Sequence, residues 1–171
     1  MCLESENYKI VEKQEQILRF DHFDNEDAWK LGSIIVEEAR KKNYSIAVEI
    51  WINGYQVFRY GFSGTNNFND IWMKRKINTV NMLHRSSLRV HYMPYTGEDD
   101  IYKDGHLDPD LYGNMGGGFP IYVKECGVIG AIAVSGMTHI QDHQLAVKGI
   151  EKILGIEDVE EIGRASCRER V

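Results

Sequence analysis

The residues best suited to chemistry run from Gly64 and Thr65 through Asn69 to Trp72-x-x-Arg75-Lys76-x-Asn78-Thr79-Val80, and on to His84, Ser86 and Ser87. Two adjacent cations sit there among amides, hydroxyls and an indole. Such cations bind carboxylates and phosphates, Arg through a planar fork and Lys as a compact point charge. Helical spacing over about Asn67 to His84 lines up Phe68, Ile71, Trp72, Thr79 and Leu83 as an apolar stripe and puts Arg75 and Lys76 beside it. A cation against a buried stripe needs an acceptor, because stripping a buried charge of its partner costs about 3–5 kcal/mol. For Arg75 that acceptor is either a ligand's anionic group or an internal Asp or Glu, with Lys76 snorkelling to water in the second case. Thr65, Asn69, Trp72, Arg75, Lys76 and His84 are the candidate ligand-binding residues of this segment.

Gly116-Gly117-Gly118 precedes Phe119-Pro120-Ile121 and permits close backbone approach, either to a ligand, with Gly117 the candidate, or to a turn or subunit contact. His139 and His143 are four residues apart around Asp142, a spacing that can aim two imidazoles at one metal. No third ligand accompanies them, Asp142 reads more simply as a helix N-cap, and no metal centre is expected. The acidic run from Glu98 to Asp110 lacks the EF-hand spacing. Ser135, in Ala-Val-Ser-Gly, lacks a nucleophile elbow, and neither G-x-G-x-x-G after a strand nor a P-loop is present. No catalytic residue is assigned.

These groups need a frame. Tyr8 to Gln16 reads as a short helix and Ile17 to Phe20 as a short strand. Asp24 or Asn25 caps a helix to about Lys42, with Ala28, Leu31, Ile35 and Ala39 on one face. Ser45–Ile52 and Tyr55–Phe62 flank Asn53-Gly54, the signature of a two-residue hairpin turn. After the second helix, Leu88 to Met93 reads as a strand and Thr96 to Gly118 as a long loop, functional or flexible. Pro120–Lys124 and Val128–Ser135 form a second hairpin, and a helix from about Asp142 to Leu154 buries Leu145, Ala146, Ile150 and Ile153. Two hairpins among helices predict an α+β fold with a mostly antiparallel sheet.

The 171 residues carry 20 basic and 26 acidic side chains, a formal charge of −6, which disfavours nucleic acid as a partner. No apolar run approaches a membrane span, and the start lacks a secretory pattern, so a cytoplasmic protein is expected. Cys2, Cys126 and Cys167 form no C-x-x-C pair and are expected as reduced thiols. Residues 162–171, IGRASCRERV, match what one reading frame of a common sequencing adapter encodes and are read as a non-native tail. The remainder divides into an N-terminal helical extension, 1–14, and one domain, 15–161.

The segment G-T-x-x-x-N-x-x-W-x-x-R-K-x-N-T-V from Gly64 to Val80, with G-G-x-F-P-I and G-V-I-G-x-I-x-V-S-G between Gly116 and Gly136, resembles the UPF0303 group of the haem-degrading-domain family, which includes GlcG and HbpS-like proteins. The resemblance spans about residues 15–156. It implies a profilin-like layered α/β fold with a sheet of about five strands, and homo-oligomers. It also implies haem as a ligand, without placing a family haem ligand on any residue here; by residue type the candidates are Arg75 and Lys76 for the propionates and His84, His91, His139, His143 or Met137 for the iron, and a small anion is the alternative ligand. No C-x-x-C-H is present, so any haem is noncovalent. Two further readings stand beside this one. The chain is an enzyme on a small carboxylate or phosphorylated metabolite, with a His as acid or base, or an assembly protein whose motifs make subunit contacts.

Overall fold

A computed structural model describes residues 2–162; the reading of the tail falls, from residue 163 on, outside the described residues. The chain runs α1 (Leu3–Ile17), α2 (Asn25–Lys41), β1 (Ala47–Ile52), β2 (Tyr55–Gly61), α3 (Asn67–Leu83), α4 (Ser87–Tyr92), a 3₁₀ turn (Met93–Thr96), β3 (Gly118–Val123), β4 (Gly127–Ser135) and α5 (His139–Leu154). The strands form one antiparallel sheet in the order β2-β1-β4-β3. Asn53 and Gly54 turn the first hairpin with φ of 50° and 79°, the positive pair a type I′ turn requires.

Alternation along the strands sends side chains to two different layers. Val48, Ile50, Phe119, Ile121, Ile132 and Val134 pack with α2 and α5 in the main core. The opposite face is built from small residues, Ala47, Ala131 and Ala133, which let α3 lie close through Met73, Ile77 and Val80. A third cluster joins α1 to α4 and includes Tyr8, Val11, Leu88, Tyr92 and Ile162.

Two expected strands are absent. Leu88 to Met93 alternates like a strand but is helical in α4, where Ser86 Oγ accepts the Arg89 N–H as an N-cap and Leu88, Val90 and Tyr92 bury against α1. Ile17 closes α1, and of the Ile17–Phe20 segment only Phe20 pairs, in a single parallel bridge to Val123. Four strands, not about five, make the sheet. The long 96–118 segment is strapped to α3: Arg75 Nε donates to Asp110 O (3.0 Å), Asn78 Nδ2 to Leu111 O (2.8 Å), and Gly113 N to Arg75 O (3.1 Å).

Candidate functional site

The face α3 turns to the sheet is rotated from the expected stripe. Met73, Lys76, Ile77 and Val80 follow the i, i+3, i+4, i+7 rule and are buried. Phe68 and Ile71 lie outside, 65% and 47% exposed. One lysine is therefore carried into an apolar layer. Lys76 Nζ donates to Val134 O at 2.8 Å and to Asp142 Oδ2 at 3.2 Å, both side chains being 3% exposed. The expectation that Lys76 snorkels to water is overturned: α3 lies too close to its three-alanine floor for the stem to turn outward.

Asp142 is not the N-cap of α5. Thr138 takes that role in a capping box with Gln141, and Asp142 accepts the Met137 N–H on its other oxygen at 3.0 Å. Burial raises the Asp142 carboxyl to about 6 against the pull of Lys76, and burial lowers Lys76 against the pull of Asp142. Both shifts bring the proton nearer to being shared. A cleft of about 300 Å³ opens over the pair, walled by Trp72, Met115, Ser135, Met137 and His139. Perturbed groups in a cleft mark a functional candidate.

The remaining walls present donors. Asn69 Oδ1 accepts the Asn66 N–H in the capping box that starts α3, while its Nδ2 donates to Ser135 Oγ at 3.2 Å, which leaves the Ser135 hydroxyl proton free to donate. His139 Nδ1 accepts the Gly116 N–H at 3.2 Å, so neutral His139 carries its proton on Nε2. Burial, with the neighbouring His91 and Lys76, lowers the His139 pKa, and the His91 ring lies 4.9 Å away. His143 does not join them. Fully buried, its Nε2 meets Gln14 Oε1 of α1 at 2.7 Å, and burial lowers its pKa to about 3. The two histidines thus do not converge on a metal. Among the described residues one group of three metal-type ligands occurs, His22, Asp24 and Asp27, where both carboxylates already cap α2.

Of the residues expected to bind ligand, Trp72 and Lys76 line the cleft and Asn69 supports it through Ser135. Thr65 Oγ1 donates to Phe62 O in the turn before α3, and His84 is the exposed left-handed C-cap of that helix. Gly117 is buried behind the lysine with φ of 125°; a Cβ there would lie 2.4 Å from Val134 O and 2.7 Å from Lys76 Nζ. Arg75 stays outside the cleft, its guanidinium 5.2 Å from the centre of the Trp72 ring. It makes no ion pair with a carboxylate among the described residues. Ser135, Met115 and Asp142 were missed as site residues, and the buried 73/76/77/80 period with Lys in its middle was the signal that could have found them.

Residues 23–151 match the family described as haem degrading protein HbpS-like. A UPF0303 protein of Streptomyces coelicolor is 37% identical over 145 residues, 85% of this chain and 92% of that protein. A UPF0303 protein of Yersinia pseudotuberculosis serotype O:3 is 34% identical over 145 residues, 85% of each chain. Among solved structures, Ybr137w protein superposes with a TM-score of 0.78 at 23% identity, covering 86% of this chain and 87% of that one. A PduOC:haem complex superposes at 0.64 with 19% identity, covering 75% and 92%. With its fold shared by these structures and its sequence matched over most of its length, the chain belongs to the HbpS-like haem-degrading protein family, alongside UPF0303 relatives.

Proposed function

We propose that this protein binds haem noncovalently at the cleft between α3, α5 and the 113–118 segment. The observation that carries this is the pairing at Trp72, whose ring walls a cleft that Met115, Met137 and His139 also line and which bears the Arg75 guanidinium, a cation without an acidic partner among the described residues. A flat ligand with apolar faces and peripheral carboxylates suits that combination. Arg75, not Lys76, is the propionate partner, because Asp142 already matches the charge of Lys76. At about 300 Å³ the cleft accepts an edge of the macrocycle. The residues fit such a group as soft walls and an anion partner. Haem would supply the iron chemistry. His139 presents Nε2–H, a donor, so an iron ligand from this cleft is the thioether of Met137 or Met115. Membership of a haem-degrading family and the fold shared with a PduOC:haem complex support the reading.

Titration of the full chain with haemin tests it. A Soret band shifted from that of free haemin at stoichiometric protein is expected, with Arg75→Ala weakening affinity about tenfold and Met137→Ala altering the band. A free-haemin spectrum throughout refutes it. Self-association is proposed through the outer side of α3, where Phe68 and Ile71 stand exposed beside Leu111. Light scattering reads it: a monomer at all concentrations rejects a homo-oligomer.

A further inference from the structure

The haem reading leaves four groups of the same cleft unused: the Lys76 amine, the Asp142 carboxylate, the Ser135 hydroxyl and the Nε2–H of His139. We propose that Lys76 is an amine nucleophile that condenses with a small aldehyde or ketone held in this cleft, giving a covalent imine. The inference rests on the same cleft as the haem reading and, of the walls named there, uses His139 alone.

The arrangement meets each requirement of the step. The amine must lose a proton, and Asp142 Oδ2, 3.2 Å from Nζ, is its acceptor. The carboxylate is fixed for that task because its other oxygen is tied to the Met137 N–H. Burial of both side chains works against both charges and so narrows the gap that the proton crosses from Lys76 to Asp142. The carbonyl must be polarised, and two residues that line the cleft carry a donor for it, Ser135 its Oγ–H and His139 its Nε2–H, with Asn69 and the Gly116 N–H fixing their roles. A lysine serving only to fill space would be better replaced by an apolar residue, since a buried ion pair is often no more stable than its hydrophobic isostere.

The step balances without an oxidant or reductant. The ammonium of Lys76 passes one proton to Asp142. The free lone pair forms a C–N bond with the carbonyl carbon while the π electrons move to oxygen. A second proton moves from nitrogen to that oxygen, giving a carbinolamine. The proton on Asp142 then joins the hydroxyl, water departs, and the nitrogen lone pair closes the protonated imine beside the restored carboxylate.

Reductive trapping tests this on the full wild-type chain: 4-carboxybenzaldehyde, a flat anionic carbonyl compound, is added with cyanoborohydride at pH 7, and modification at each lysine is read by peptide mass spectrometry. Lys76 is expected to be modified in preference to exposed Lys30, Lys42 or Lys74, because burial lowers its pKa and Asp142 stands ready to take its proton. Asp142→Asn removes the group that takes the proton and returns it to the departing hydroxyl, and is expected to abolish that preference even though losing its charge lowers the Lys76 pKa further, while the exposed lysines react as before. Lys76 unmodified while exposed lysines react overturns the proposal. Saturating haemin is expected to protect Lys76. Haemin bound with Lys76 inert sinks the imine and leaves the haem reading, and Lys76 trapped with no haemin bound does the reverse.

Discussion

Lys76→Met isolates the central electrostatic element of the site. In the native protein the Asp142 carboxyl already sits at about 6 rather than 3.8, a shift worth about 3 kcal/mol against its ionised form even with Lys76 beside it. Removing the ammonium leaves that carboxylate buried and unpaired, a loss of about 3–5 kcal/mol. Protonation is its relief. A folded-state pKa above the unfolded one means the folded chain holds the proton more tightly, so stability is greatest at low pH and falls as pH rises through the folded value. The variant's deficit should therefore be largest near pH 8 and shrink by up to about 1.4 kcal/mol per pH unit once Asp142 takes up its proton. Urea unfolding of native and variant chains from pH 5 to 8 reads this directly. Adding Asp142→Leu to Lys76→Met should recover about 2 kcal/mol at pH 8, short of full recovery because the Met137 N–H loses its acceptor. A deficit under about 1 kcal/mol at pH 8, or one independent of pH, would show that Lys76 and Asp142 are not an interdependent buried pair.

Gly117→Ala should cost about 2–4 kcal/mol in thermal unfolding, since φ of 125° and contacts of 2.4 and 2.7 Å admit no Cβ; Gly54→Ala, with φ of 79° and open space, should cost about 1 kcal/mol. His143 is held near 3, below its unfolded value, so its contribution is present above about pH 6.5 and lost as pH falls toward 3. The cost of His143→Leu in urea should accordingly diminish on acidification from pH 6.5 by about 1 kcal/mol per unit. Arg89→Met strands the buried Glu15, whose two oxygens meet Ser86 N and Arg89 Nη1 at 2.7 Å, and should loosen α1 by about 3 kcal/mol. Hydrogen exchange confined to α1 and α4 would record it, and unchanged protection there would contradict the pairing.

How far the sequence carried can be judged on α3. Its boundaries were legible: the periodicity after the glycine-rich break gave about Asn67 to His84, and the helix runs Asn67–Leu83, opened by a capping box of Asn66 with Asn69 and closed by left-handed His84. Its inward face was not. Phe68, Trp72, Thr79 and Leu83 repeat at helical spacing as well as Met73, Ile77 and Val80 do, and bulk favoured the aromatic set. The deciding fact lies in other segments: Ala47, Ala131 and Ala133 form the sheet surface against which Met73, Ile77 and Val80 pack, and no period within α3 reveals that surface. The same ignorance of partners turned α4 into a strand, since Leu88, Val90 and Tyr92 alternate, and what holds them helical is α1, some 80 residues earlier. The hairpins needed no such knowledge, because Asn53-Gly54 fixes its turn locally.

Rotating α3 also explains why the two motifs that carried the family resemblance belong together. Lys76, buried by that rotation, needs acceptors, and β4 supplies the Val134 carbonyl while α5 supplies Asp142. Where the chain enters β3 it passes close to His139, Val134 and Lys76: a Cβ at 116 would lie 2.3 Å from His139 O and one at 117 2.4 Å from Val134 O, while one at 118 would sit tightly, 3.0 Å from the lysine stem. Gly117 and Gly118 thus lie against the lysine and Gly116 against the start of α5, while Asn69 and Ser135 join α3 to β4 beside the cleft. Arg75, one residue along, lies outside the cleft and straps the 108–113 segment, whose continuation supplies Met115 to the cleft and the Gly116 N–H to His139. Adjacent cations on one helix therefore serve opposite ends of one site: Lys76 closes its floor, and Arg75 holds its wall and leaves a charge at its edge.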